Sequence, residues 1–133
     1  MNREAKLRKI MNCLDKWMSN REQNKWIAEY LRSVSVQKVS IYGLGILGKH
    51  LLYELEKNEF PVSWVMDKSA PKKEYAKIIR PEEVENQEDV DMVIITAVAD
   101  VEEIEAFLLP KITGKMISIE ELIQLVKVWG NQI

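Results

Sequence analysis

With one cysteine and one histidine in 133 residues, several kinds of chemistry are excluded at the outset. Cys13 has no partner for an internal disulfide. Cys13 and His50 alone, at that separation, make no metal set. No apolar run approaches the ~18 residues needed to cross a bilayer, so membrane insertion is not expected. The first ten residues alternate charged with apolar side chains and do not read as a secretory signal. Charge is nearly balanced, with 19 basic and 21 acidic residues and a net −2. That balance gives no global case for nucleic acid or for a membrane surface as partner. Together these features fit a cytoplasmic protein. The length corresponds to one domain with a small extension. It is too short for a nucleotide-binding half plus a separate substrate half, which argues against a complete dehydrogenase or epimerase.

Hydrophobic residues make up 47% of the chain, ample for a core. The most informative segment is Val39-Ser40-Ile41-Tyr42-Gly43-Leu44-Gly45-Ile46-Leu47-Gly48-Lys49, an apolar β-rich run leading into Gly-x-Gly-x-x-Gly and then a helical pattern. In that context Gly43 permits a tight strand-to-helix turn, Gly45 lets backbone approach a pyrophosphate, and Gly48 lets the helix pack closely on the strand. The N–H groups of Ile46, Leu47 and Gly48 at the helix start offer an anion site. The next apolar run, 62–66, ends in Asp67-Lys68. Asp67 lies nineteen positions beyond Gly48, where a carboxylate that binds ribose hydroxyls is expected. An acid there disfavours a 2′-phosphate, so NAD or a UDP-type nucleotide is expected over NADP. Lys68, Lys72 and Lys73 soften that preference.

Two helices precede this unit. Leu7, Ile10, Met11, Leu14, Trp17 and Met18 follow helical spacing. Ser19-Asn20 reads as a break, and Asn20 with Gln23 as a capping box that starts a second helix reaching about Arg32. Residues 1–33 are therefore a helical extension and 34–133 the nucleotide-binding domain. Met11, Trp17, Met18 and Trp26 form either a docking stripe or a face packed on the sheet, with packing the favoured reading. From residue 37 onward strands and helices alternate. Strands are expected at about 37–42, 62–66, 78–79, 91–96 and 115–117, and helices at about 46–57, after Pro81, to about 109, and from Ser118. Residues 68–77 read as a polar loop. Asp100 with Glu103, and Ser118 with Glu121, read as capping boxes. Such alternation implies parallel strands with right-handed crossovers in the order 3-2-1-4-5, and a ligand crevice at the carboxyl ends of strands one and four. The last helix carries Leu125 and Trp129 beside its main apolar face, with a second subunit as the preferred cover.

Thr96 and Ala97 follow strand four, across that crevice from the glycines. They are small enough to leave room for ribose or pyrophosphate, and the Thr96 hydroxyl is placed to bond one. His50 sits too far along its helix for a catalytic role, and Cys13 reads as packing. The proton relay Tyr-x-x-x-Lys is absent, because Tyr53 and Lys57 lie on the first crossover helix. Residues 1–32 hold eight basic and four acidic residues, whereas 82–105 hold ten acids and no base. These read as solvated faces, or as ends that complement each other within one chain or between subunits.

The segments Leu14-Asp15-Lys16-Trp17, Ile41 to Lys49, Met66-Asp67-Lys68, Val90 to Thr96 and Ile117 to Leu122 carry a resemblance over nearly the whole chain. It resembles Rossmann-like, nucleoside-diphosphate-sugar epimerase-like domain proteins found with bacterial surface-polysaccharide and glycosyltransferase genes. More distantly it is similar to the N-terminal domain of UDP-sugar acetyltransferases and to CoA-binding-type Rossmann domains. The resemblance implies an α/β, short doubly wound sheet with a nucleotide or nucleotide-sugar ligand. Phosphate binding falls on Gly43, Gly45 and Gly48, and ribose binding on Asp67. It implies no catalytic label, since the epimerase relay and the acetyltransferase catalytic domain are both missing. Three readings stay open. One is an accessory nucleotide-binding domain in cell-surface polysaccharide metabolism. Another is an NAD-dependent oxidoreductase or epimerase-type, nucleotide-sugar modifying enzyme completed by a partner; a glycosyltransferase-pathway protein is among the expected partners. The third is a homodimeric or larger interaction module with a vestigial site.

Overall fold

The computed structural model describes residues 1–68 and 77–129. The expectations placed on Lys72 and Lys73 lie outside the described residues. Five strands, β1 (Val39–Tyr42), β2 (Val62–Met66), β3 (Lys77–Ile79), β4 (Met92–Ile95) and β5 (Lys115–Ser118), form one sheet in the order β3-β2-β1-β4-β5. Every pairing is parallel. Lys77 belongs to β3 rather than to the polar loop.

The apolar strands are explained by cover on both faces. Val39, Ile41, Val65, Ile78, Met92 and Ile94 face one hydrophobic cluster. Tyr42, Trp64, Met66, Ile79, Val93 and Ile95 face the other. One irregularity interrupts this alternation. Val39 pairs with Val62 but Ile41 pairs with Val65, so β2 carries an extra residue. The buried hydroxyl of Ser40 accepts the Trp64 N–H at 3.3 Å, which satisfies the backbone where the ladder is disturbed. The bulge turns Trp64 to the second cluster while Val62 and Val65 share the first.

Helix α3 (Ile46–Lys57) crosses from β1 to β2 on the first face, with Leu47, Leu51 and Leu55 buried. A 3-10 helix opened by Pro81 (Pro81–Asn86) and α4 (Val101–Leu108) contribute Val84 and Leu108 to the second face. Asp100 stands at the N-cap of α4 but makes no side-chain cap. Its φ of −127° and ψ of 24° lie outside the extended conformation that aims a capping carboxylate back at the helix. The final helix α5 (Ile119–Trp129) does begin with a cap, the Ser118 hydroxyl accepting the Glu121 N–H at 3.1 Å.

The two N-terminal helices differ from the sequence expectation. Helix α1 runs unbroken from Arg3 to Glu22, through Ser19-Asn20. Asn20 starts no helix. It is buried, and its side-chain amide donates to the Ile123 carbonyl of α5 at 3.1 Å. Helix α2 (Ile27–Ser33) begins at Trp26 with no capping side chain of its own. Its cap comes from elsewhere: Oε2 of Glu54 on α3 accepts the Ile27 N–H at 2.9 Å. The other oxygen of Glu54 accepts the Trp17 indole N–H at 2.9 Å and the Arg21 Nε–H at 2.7 Å. Arg21 in turn lies 5.2 Å from the Trp17 ring and 5.7 Å from the Trp26 ring. One carboxylate, 1% exposed, thus joins α1, α2 and α3.

Residues 1–33 share a core with the sheet domain. Cys13, Trp17, Ile27, Ala28 and Leu31 pack in the same cluster as Leu51, Leu55 and Val126. Leu7, Met11 and Met18 stay exposed, so the expected stripe on α1 is divided between core and surface. Of the second face of α5, the Trp129 ring is met within the chain, edge-on to Tyr30 at 5.8 Å, while Leu125 stays exposed; the helix also packs on α1 and α2. Replacing Glu54 tests the centre of this arrangement. Glu54→Ala orphans three donors and is expected to lower the unfolding free energy by about 3–5 kcal/mol in urea titrations. A loss well below ~1 kcal/mol would show that the helices hold together without the carboxylate.

Candidate functional site

The glycine turn lies at the carboxyl end of β1, beside the end of β4, where the strand order reverses. Its three glycines have different physical roles. Gly43 adopts φ +116°, and a Cβ there would stand 2.7 Å from the Thr96 hydroxyl. A Cβ on Gly48 would come within 2.0 Å of the Gly43 carbonyl oxygen, which is backbone and has no freedom to move aside. The fold itself therefore needs these two. Gly45 is different. It is the N-cap of α3 in an extended conformation, and a Cβ there meets nothing within 4 Å. Nothing among the described residues requires a glycine at that point, and the space before it is open to a ligand.

The turn is tied on both sides. The Gly43 N–H donates to Met66 O at 3.0 Å and the Thr96 N–H to Tyr42 O at 3.1 Å. The Thr96 hydroxyl donates to the Gly43 carbonyl at 2.7 Å. Its one proton is thereby committed to holding the turn, and toward a ligand Thr96 offers only lone pairs.

A cleft of about 410 Å³ opens over this turn. Gly43, Gly45, Ile46, Leu47, Thr96 and Ala97 line it, so six of the nine residues singled out from the sequence meet there. Gly48 is buried beneath, against Gly43. Asp67 and Lys68 stand at the end of β2 and do not line the cleft; the Asp67 N–H is bonded to Ile79 O at 3.0 Å. The opposite wall was not foreseen from the sequence. It is the start of α1, contributing Arg3, Lys6, Leu7 and Ile10. A neighbouring cavity of about 460 Å³ is lined by Asp100, Glu102, Glu103, Glu105 and Glu120 with Met1 and Lys9. Met1 and Lys9 of the basic segment thus share this lining with acids of the run 82–105, while the ion pair of Lys9, at 3.9 Å, is with Glu120 outside that run. Those carboxylates repel phosphate, which leaves the glycine cleft as the candidate anion site.

Among the described residues the cleft has no carboxylate, imidazole or thiol for proton transfer. His50 is exposed and edge-on to Trp17 at 6.5 Å. Cys13 is buried in α1, and burial, reinforced by nearby Glu120, pushes its thiol pKa up. No group of three or more possible metal ligands occurs among the described residues. Fold and cleft together define a Rossmann-like parallel α/β domain with a glycine-lined opening at its switch point. Comparison with protein-family models and with curated proteins finds no match.

Two measurements check these assignments. Gly48→Ala should destabilise the protein by about 1–3 kcal/mol or more through overpacking, whereas Gly45→Asp, in open space and at a favoured capping position, should leave stability unchanged or raised. Chemical denaturation of both variants decides. The Cys13 thiol should react with a disulfide reagent at pH 8 far more slowly in the folded protein than in urea, because both access and thiolate are suppressed. Equal rates would mean that α1 does not stay docked.

Proposed function

We propose that this chain is a nucleotide-binding domain that takes NAD or a UDP-type nucleotide, its pyrophosphate resting on Gly45 and the start of α3. The observation that carries this reading is the open space before Gly45, next to two glycines that are fully used by packing. The first N–H groups of a helix have no intrahelical partners and carry partial positive charge, so they suit an anion brought close by a missing side chain. A cleft of about 410 Å³ is within the usual size for small-molecule sites. Asp67, at the end of the neighbouring strand, is the residue assigned to ribose in this reading, and its carboxylate favours NAD over NADP.

The polar side chains of the cleft suit binding and orientation rather than bond making. This supports an accessory role, with reacting groups supplied by a partner. The resemblance to polysaccharide-associated domain proteins supports nucleotide-sugar metabolism at the cell surface as the setting.

The test pairs the wild type with Gly45→Asp in a thermal-shift panel of NAD, NADP, UDP, UDP-sugars and CoA. A ligand at ~100 times its dissociation constant stabilises the wild type by about 2.7 kcal/mol. The variant keeps its unliganded melting temperature but shows no ligand shift, since the added carboxylate occupies the phosphate position and repels it. An equal shift in both proteins would remove Gly45 from the site.

A further inference from the structure

The glycine turn accounts for only one side of the cleft. The other side is α1, whose Arg3, Lys6, Leu7 and Ile10 face Gly43, Gly45 and Ile46 across it. Arg8, Lys9 and Arg21, which do not line the cleft, have acidic partners in Glu4, Glu120 and Glu54. Arg3 and Lys6 are exposed, and among the described residues neither makes an ion pair. Two uncommitted cations three residues apart lie on the same side of a helix, about 5–6 Å from each other at their Cβ atoms. Their long side chains can therefore converge on two adjoining phosphate groups.

We propose that α1 is a working part of the nucleotide site. Arg3 and Lys6 neutralise the two phosphates of a diphosphate seated at Gly45, and Leu7 and Ile10 cover the group attached to it. The inference rests on the nucleotide reading above and narrows it to diphosphate esters with a flat or weakly polar group beyond the phosphates. The acidic cavity sets the direction. It adjoins the cleft at Val98, which lines both, and its Asp100, Glu102 and Glu103 drive phosphate toward Gly45 and the α1 cations. A helix N-terminus alone supplies about half a positive charge against the two or more negative charges of a diphosphate. Arg3 and Lys6 make up the deficit.

The experiment is titration calorimetry of the full chain with NAD, UDP and inorganic pyrophosphate, in wild type, Gly45→Asp and the double variant Arg3→Gln/Lys6→Gln, at two salt concentrations. The double variant should fold as the wild type does, because both side chains are exposed and unpaired. Its affinity for the nucleotide that binds should fall about tenfold, and the weakening of binding by salt should flatten as the two cations are lost. Pyrophosphate binding should fall in parallel. A double variant with wild-type affinity and wild-type salt dependence, beside a Gly45→Asp that has lost binding, would overturn the role of α1 and leave the glycine site standing. A wild type that binds none of the three probes would overturn both.

Discussion

The carboxylate of Glu54 is the point on which the helical layer depends. It is buried and accepts three hydrogen bonds from two other helices, one of them from a charged partner. An ionised carboxylate placed among leucines without such partners would cost several kcal/mol. Here both oxygens are engaged, and no buried side-chain polar atom among the described residues lacks a partner. The arrangement also solves a local problem of α2, whose first N–H has no capping side chain in its own segment. The position of α1 follows from this knot and from Asn20, which fixes the same helix to α5. Since the start of α1 forms one wall of the cleft, the geometry of the opening is set some distance away, at the far end of a twenty-residue helix.

At the turn, the division of labour among the glycines separates what serves the fold from what is left for a ligand. Gly43 and Gly48 are held against Thr96 and against each other. The Thr96 hydroxyl closes the turn from the adjacent strand. Within a motif usually read as a unit, Gly45 alone meets nothing among the described residues that requires it to be glycine.

Much of the sheet was legible in the sequence, because strands covered on both faces carry a signal that does not depend on context. The strand order, the span 46–57 of α3, Pro81 at the start of its short helix and the Ser118 cap all follow from local patterns. The bulge in β2 was not legible, since an inserted residue keeps the composition of the strand and alters only its pairing. The break expected at Ser19-Asn20 failed for a clear reason. A polar residue before a second helical pattern suits a cap, but Asn20 sits three positions after Trp17 and seven after Cys13, on the buried face. Glu54 carries the same signal, three positions after Leu51 and seven after Leu47. For polar residues at core spacing, a buried partner is the better expectation. At the cleft, the glycines and Thr96-Ala97 were legible because they sit at strand ends. Arg3 and Lys6 were not, because helical spacing shows which residues share a face but not what that face will meet.

The attachment of α1 also has a consequence in time. Asn20 is bonded to a residue 103 positions later in the chain, and Lys25 to one 102 positions later. On the ribosome α1 is made long before α5 exists, and it cannot take its final place until most of the domain has been synthesised. Closing so long a loop costs entropy that is returned only when the last contacts form, which makes such steps late and slow. The β1–α3 turn, by contrast, is tied to Met66 and Thr96 and needs no part of α5. The two walls of the cleft therefore belong to different stages of folding. The glycine turn closes when β4 brings Thr96 beside it, and the opening becomes a cleft when the start of α1 settles across it.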